Sequence, residues 1–483
     1  MTKLYDETDI NSIEQYARNL IGRTFLDIIK DASTSEEEFE ELKALYGNNS
    51  RKGGLGNLIE ALYFGYDING NQEADFNKVG LELKATPYEI RKNGKKVAGE
   101  RLVITMIGYD KPFEEDFFKS HVWDKLRLEL LIHYYRNKAL NSNLLYKIDY
   151  VTLYSPNQED LIIIRHDYEI IKEKVMSGKA HELSESDTMY LGACTKGSTA
   201  IKSTVAQYYN PDVPARKRAF CLKVSYMTFV LQTYVLPNAT NRLERLIDTL
   251  KPNQSFEEII MSRLQQYIGK ADKELCALLD REYNNNKAQW VNLCYKMLGI
   301  KGNKAEEFEK ANVAVKSLRI TRTHNVAENM SFSPFLFKEF AEETYETSEF
   351  YNYFEETRFL FSIWKENEEG TYTFVGAMFW NMPYKDLNEI ARLEWEAIHR
   401  VIVEGVKFEY DGRIVHNNLP KQSNSMILHI RPHATKAAYK FDNVVIGNVN
   451  RDANELPNGD FMTTQSFWLS KPYIYGIVKE YDK

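Results

Sequence analysis

The chain has 483 residues, 43% of them hydrophobic and 13% aromatic, enough for two or three domains with sizeable cores. A formal net charge of −7 excludes a general nucleic-acid coat, which would be basic, but leaves room for a local basic groove. No long apolar run marks a membrane span, the first six residues lack a secretory layout, and Cys194, Cys221, Cys276 and Cys294 form no C-x-x-C pair, so the chain reads as a cytosolic protein with reduced thiols and neither disulfides nor a zinc site.

The first half opens with Ala17-Arg18-Asn19-Leu20-Ile21-Gly22-Arg23 and an apolar helix. Lys52-Gly53-Gly54-Leu55-Gly56-Asn57-Leu58-Ile59-Glu60 follows as a second helix opening. The run from Asp75 to Lys84 then carries the most chemistry. Alternation over Val79–Lys84 predicts a strand with Glu82 and Lys84 on one face and Val79, Leu81 and Leu83 on the core face. Asp75 lies one turn upstream, in reach of the same metal. Two carboxylates of this kind hold a hard divalent cation beside a scissile phosphate, and a lysine beside them orients or deprotonates the attacking water. By residues alone, an amphipathic strand with a solvated polar face fits the same pattern.

Further strands are expected at 101–107, 148–154 and 161–165, with a helix closing at Val175-Met176-Ser177-Gly178. Arg216-Lys217-Arg218, with Lys196, Lys202 and Lys223 nearby in sequence, forms the candidate basic groove; a solvated loop is the alternative.

Residues 236–255 read as a linker with a short charged helical run between Pro-Asn turns. On either side the same elements recur. Leu264-Gln265-Gln266-Tyr267-Ile268-Gly269-Lys270 answers the opening helix, and Phe379-Trp380-Asn381-Met382-Pro383 answers Leu153-Tyr154-Ser155-Pro156. Val401-Ile402-Val403-Glu404-Gly405 matches the helix closing at Gly178, and Ile427–Arg431 matches Tyr190–Cys194. Phe467–Tyr473 matches Phe220–Tyr226. Ordered recurrence at this scale predicts two α/β domains, each a mixed sheet flanked by helices.

Four ordered segments carry a family resemblance. Lys52–Glu60 resembles the K-G-x-x-G-x-x-x-E opening of the MutH-like GATC endonucleases, and Asp75, Glu82 and Lys84 fall where that family keeps its PD-(D/E)XK metal site. Ser120-His121-Val122-Trp123-Asp124-Lys125-Leu126 resembles the S-H-V-x-x-K-L segment, and Leu153-Tyr154-Ser155-Pro156-Asn157 the W-S-P-N turn. The duplicated architecture is similar to Sau-type restriction endonucleases, whose first half cuts and whose second half is an allosteric DNA-binding half. The resemblance implies two tandem MutH-like domains: a catalytic one at 1–235, the linker at 236–255, and an inactive effector at 256–483. It implies Asp75 and Glu82 as magnesium ligands, Glu60 as an accessory acid at the metal or its water, Lys84 at the nucleophilic water, and Lys125 at the phosphate or the water. Lys52 is a weak candidate, as a helix-start cation.

In the second half Ala314 stands where Glu82 stands in the first, and Phe354-Glu355-Glu356 puts an acid at the place of Lys125, so this half is expected to be catalytically dead. Ile430-Arg431-Pro432-His433-Ala434 resembles the family's DNA-contacting I-R-P-K-A segment, which makes Arg431 and His433 candidates for DNA contact. Lys196, Arg216, Lys217, Arg218, Lys223 and Lys471 complete that set. The leading expectation is a bacterial, cytoplasmic type II restriction endonuclease that makes magnesium-dependent double-strand breaks at GATC, binds two sites at once, and is a monomer in solution that pairs on DNA. A mismatch-repair nicking enzyme of the same fold and a non-catalytic DNA-binding regulator are the alternatives.

Overall fold

A computed structural model describes residues 4–48, 54–66, 73–114, 116–197, 203–237, 243–247, 254–284, 286–327 and 330–483. The chain divides into two compact units, Met1–Ser255 with Lys304–Asn312, and Phe256–Asn303 with Val313–Lys483.

In the first unit the central mixed sheet runs Lys96–Ala98, Glu82–Ile90, Glu129–Tyr135, Lys147–Tyr154. Its middle pair is parallel, with Glu82 opposite Glu129, and both flanking pairs are antiparallel. One face is covered by the helices Ile10–Arg18 and Phe25–Ala32, whose Ile13, Ala17, Phe25, Ile28 and Ile29 join Leu81, Leu83, Leu130 and Ile132 in one core. A second, antiparallel sheet runs Leu102–Met106, Arg218–Leu222, Leu191–Thr195.

The expected strand at 161–165 is instead part of the helix Gln158–Met176. Its branched run sits inside a longer pattern, with Ile163, Ile164, Asp167, Tyr168, Ile171 and Val175 buried at helical spacing and Asn157 capping the start. Asp160, on that helix, pairs with Lys310 at 2.8 Å, and both are buried. The 236–255 segment also departs from expectation. Residues 243–247 are not helical; Leu246 and Ile247 are buried, and their N–H groups donate to the Glu307 carboxylate at 2.9 and 3.2 Å. Residues 238–242 and 248–253 lie outside the described ones.

The second unit repeats the sheet order of the first: Asn325–Val326, Val313–Thr321, Arg358–Glu366, Tyr372–Trp380, again with a parallel middle pair. Ala314 pairs with Phe359, the position that Glu82 and Glu129 occupy in the first unit. Its antiparallel sheet runs Met330–Pro334, Gln465–Leu469, Leu428–Pro432. All four cysteines are buried free thiols. Among the described residues no helix is long and apolar enough to cross a membrane.

His133, in the Glu129–Tyr135 strand, is 2% exposed, and burial pushes its imidazole down to about 4. The unfolded chain takes up this proton near pH 6.5 and the fold does not, so the associated stability is complete above that pH and is lost as pH falls toward 4. Denaturant unfolding across this window is expected to show wild type losing about 3 kcal/mol relative to His133→Gln. Parallel curves for the two proteins would refute the assignment.

Candidate active site

A tight hairpin explains the spacing of the acidic residues. Phe76 and Leu81 pair antiparallel around the turn Asn77–Gly80, which sets Asp75 against Glu82 and Leu83. The regular strand therefore begins at Glu82 rather than Val79, although Leu81 and Leu83 do enter the core. Gly80 sits at φ +64 with the Arg127 guanidinium packed where a Cβ would stand, so no other residue fits there without displacing that arginine.

Asp75 accepts a hydrogen bond from the Leu83 N–H at 2.9 Å. Burial, then the Glu82 charge, raises the Asp75 carboxyl above its ordinary value. Glu82 is 2% exposed and gathers both lysines: Lys84 Nζ donates to Oε1 at 2.7 Å, and Lys125 Nζ lies 3.0 and 3.3 Å from the two oxygens. Burial pulls the Lys84 ammonium down, but the Glu82 charge and hydrogen bond, with Glu129 and Asp75, outweigh it and leave it raised. Lys125 reaches Glu82 from the helix His121–Leu126, which Ser120 caps and Val122 and Leu126 anchor in the interior.

Glu60 comes from a different element. The helix Gly54–Leu58 widens into a π-turn, Ile59–Tyr63, a local deformation that recurs at functional sites. Leu55, Leu58 and Ile59 fix its inner side. Burial pushes the Glu60 carboxyl up to about 7; Asp75 and Glu82 add to the rise, and Lys84 and Lys125 oppose it. The structure thus brings Glu60, Asp75, Glu82, Lys84 and Lys125 into one electrostatic cluster. Lys52 and Gly53 lie outside the described residues.

Glu129 was absent from the sequence expectations. It is fully buried opposite Glu82 in the parallel pair, and neither carboxyl oxygen has a hydrogen-bond partner. Burial raises its carboxyl to about 8, with Lys84 lowering and Glu82 raising it. Its only sequence signal is one acid within Leu126–Ile132, a run otherwise apolar apart from Arg127.

The donor set fits a hard divalent cation: its acids are carboxylates, they repel one another, and no sulfur or imidazole competes. Among the described residues, no three His, Cys, Asp or Glu side chains converge as a ready metal cage. Asp75 and Glu82 are the pair that would hold an ion, with Glu60 as the third acid within range of their charge.

The basic candidates divide sharply. Lys217 is exposed and Lys196 half-buried, and the Lys196 N–H donates to the Lys217 carbonyl at 2.8 Å, so the two sit side by side with Arg216 adjoining. Arg218 and Lys223 do not belong with them. Each is 2% exposed; Arg218 donates to the Ala193 carbonyl at 2.6 Å and Lys223 to the Thr188 carbonyl at 2.5 Å. A buried cation held by main-chain oxygens cannot reach a phosphate, and these two brace the antiparallel sheet and the helix after it. Lys202 is outside the described residues.

In the second unit Arg431 is exposed with its guanidinium 5.2 Å from the Trp468 ring centre. His433 is exposed with Nδ1 3.2 Å from Ser466 Oγ. Lys471 differs: its ammonium donates to the Ala327 carbonyl at 2.6 Å, a contact that ties the start of the last long helix and takes it away from a ligand. Lys316, the counterpart of Lys84, has its ammonium lowered by burial alone.

Comparison with known proteins matches residues 64–167 to the family of the DNA mismatch repair enzyme MutH. The type II restriction enzyme Sau3AI of Staphylococcus aureus is 34% identical over 466 residues, spanning 89% of this chain and 93% of that protein. The DNA mismatch repair protein MutH of Yersinia enterocolitica is 23% identical over 231 residues, 47% of this chain and 95% of its own length. That of Vibrio vulnificus is 25% identical over 193 residues, 40% of this chain and 80% of its own length.

Proposed function

The chain belongs to the family of the type II restriction enzyme Sau3AI, and from that premise we propose that it makes double-strand breaks in DNA at GATC, using magnesium held by Asp75 and Glu82. It is a type II site-specific deoxyribonuclease. One observation carries the assignment of the chemistry: a single buried carboxylate, Glu82, collects two lysines while Asp75 stands beside it.

Each side chain then has a task. A bound divalent ion would supply positive charge to the scissile phosphate and lower the pKa of water. Lys84 orients the water that attacks phosphorus in line. The new P–O bond forms as the bond to O3′ breaks, leaving a 5′ phosphate on one product and a protonated 3′ hydroxyl on the other. Lys125 offsets charge on the phosphoryl oxygens, and Glu60, a carboxyl poised near neutrality, exchanges protons with the water. Lys196, Arg216 and Lys217 are the first unit's candidates for phosphate contact, and Arg431 and His433 those of the second.

The second half lacks this machinery. Ala314 cannot bind a cation, and an acid from Phe354-Glu355-Glu356 in place of Lys125 would repel a phosphate. Its proposed role is to bind another copy of the site and activate the first half. Plasmid DNA with two GATC sites is expected to be cut several-fold faster than DNA with one, and added site-bearing duplex to stimulate one-site cleavage. Equal rates without stimulation would discard the effector role. End mapping of the same digests decides the remaining alternative: nicked circles without linear product would favour a mismatch-repair nickase, for which the second half has no evident use.

A further inference from the structure

The buried acid Glu129 has no place in the mechanism so far. A carboxyl shut off from water with neither oxygen hydrogen-bonded destabilises the fold, so its presence calls for a reason. Three observations locate that reason. In a parallel pair, residues directly opposite share a face, so Glu129 stands on the face of Glu82 and Lys84. Lys84 is the cation whose charge acts on it, and Glu129 acts in turn on Lys84. The second unit supplies an internal comparison: where Glu82 becomes Ala314, Glu129 becomes Phe359, which is wholly buried, while the lysine survives as Lys316. The buried acid thus disappears together with the metal-binding one.

Lys84 and Lys125 both rest on Glu82 in this structure. A divalent ion held by Glu82 would compete with both lysines for the same oxygens. Lys125 can turn toward the phosphate, but Lys84 must stay beside the water with its first anchor withdrawn. We infer that Glu129 is a positioning residue that receives the Lys84 ammonium when Glu82 engages a metal, holding it in place for the attacking water. The inference rests on the metal site proposed above.

The test labels lysines of the full chain with an amine-reactive acylating reagent, with and without magnesium and without DNA, and quantifies Lys84 and Lys125 by mass spectrometry. In wild type, magnesium is expected to raise Lys125 labelling several-fold and to leave Lys84 within about twofold. In Glu129→Leu, magnesium should raise Lys84 labelling about tenfold, with no difference from wild type in its absence, because Glu82 still holds the amine. Single-turnover cleavage by Glu129→Leu should fall about 10- to 100-fold with KM unchanged, and Glu129→Gln, which keeps an acceptor oxygen and the side-chain shape, should recover part of the loss. If magnesium frees Lys125 but Lys84 stays protected in Glu129→Leu, the inference fails and the metal site stands. If Lys125 does not respond to magnesium in wild type, the metal site fails and the inference with it. A Glu129→Leu protein that melts higher and cuts at the wild-type rate would make Glu129 an inert core acid and overturn the proposal.

Discussion

Glu82→Gln is expected to lower magnesium-dependent cleavage by about a thousandfold or more while DNA binding changes no more than a few-fold. The substitution keeps the shape of the side chain and its acceptor oxygen, so the fold should persist. It removes the one charge that holds both Lys84 and Lys125 and that presses on the neighbouring Asp75 carboxyl. Two ammonium groups then face an amide, and the site loses a cation ligand and the anchor of its water-orienting lysine together. Binding should hold because the half-buried Lys196 and the exposed Lys217 and Arg431, the basic candidates for DNA contact, lie on other elements. Cleavage within tenfold of wild type would remove Glu82 from the metal site. Wild-type protein that cuts nothing in magnesium would point to the non-catalytic regulator.

The Asp75, Glu82 and Lys84 set was legible because its spacing encodes local geometry. Six residues between the two acids is the length of the hairpin that Phe76 and Leu81 close, and one residue between Glu82 and Lys84 returns the strand to the same face. Lys125 and Glu60 needed the family resemblance, since no local rule brings a helix lysine or a π-turn glutamate to a strand far along the chain. Glu129 stayed hidden because sequence shows one acid in an apolar run, whereas its meaning depends on the register with Glu82. Arg218 and Lys223 misled for the converse reason. A basic run looks solvated until Ala193 and Thr188 are seen to offer carbonyls to the buried heads. The strand expected at 161–165 failed because a short branched run cannot outweigh a helix of 19 residues with its own cap and buried stripe.

Lys310→Met should destabilise the first unit by about 3–5 kcal/mol, the usual consequence of stripping one partner from a buried ion pair. Lys310 donates to Asp160 at 2.8 Å and Glu306 at 2.9 Å, and lies 4.2 Å from the centre of the Phe229 ring. The Asp160 carboxylate would still accept from the Tyr226 hydroxyl at 3.0 Å and the Asn157 amide at 3.1 Å, but from no cation. Tyr226 in turn bonds Tyr154, which lies opposite Glu129 in the sheet, so the loss falls on the polar interior behind the candidate site. Urea unfolding of the single variant and of Lys310→Met with Asp160→Leu separates pairing from packing. The double variant should recover much of the loss. A single variant within about 1 kcal/mol of wild type would show that Asp160 does not need the lysine.

The placement of Lys310 also bears on how the protein is made. The first unit is completed by Lys304–Asn312, a piece of chain that follows residues 256–303 of the other unit. A ribosome that has delivered everything up to Ser255 has not yet delivered the cation for Asp160 or the carboxylate of Glu307 that receives the Leu246 and Ile247 N–H groups. Domains commonly fold from the N-terminus as they emerge. Here the half bearing the candidate nuclease site acquires its last buried partners only when well over half of the chain has been translated, so a nascent fragment released early would carry the acids and lysines of the site on an unfinished interior.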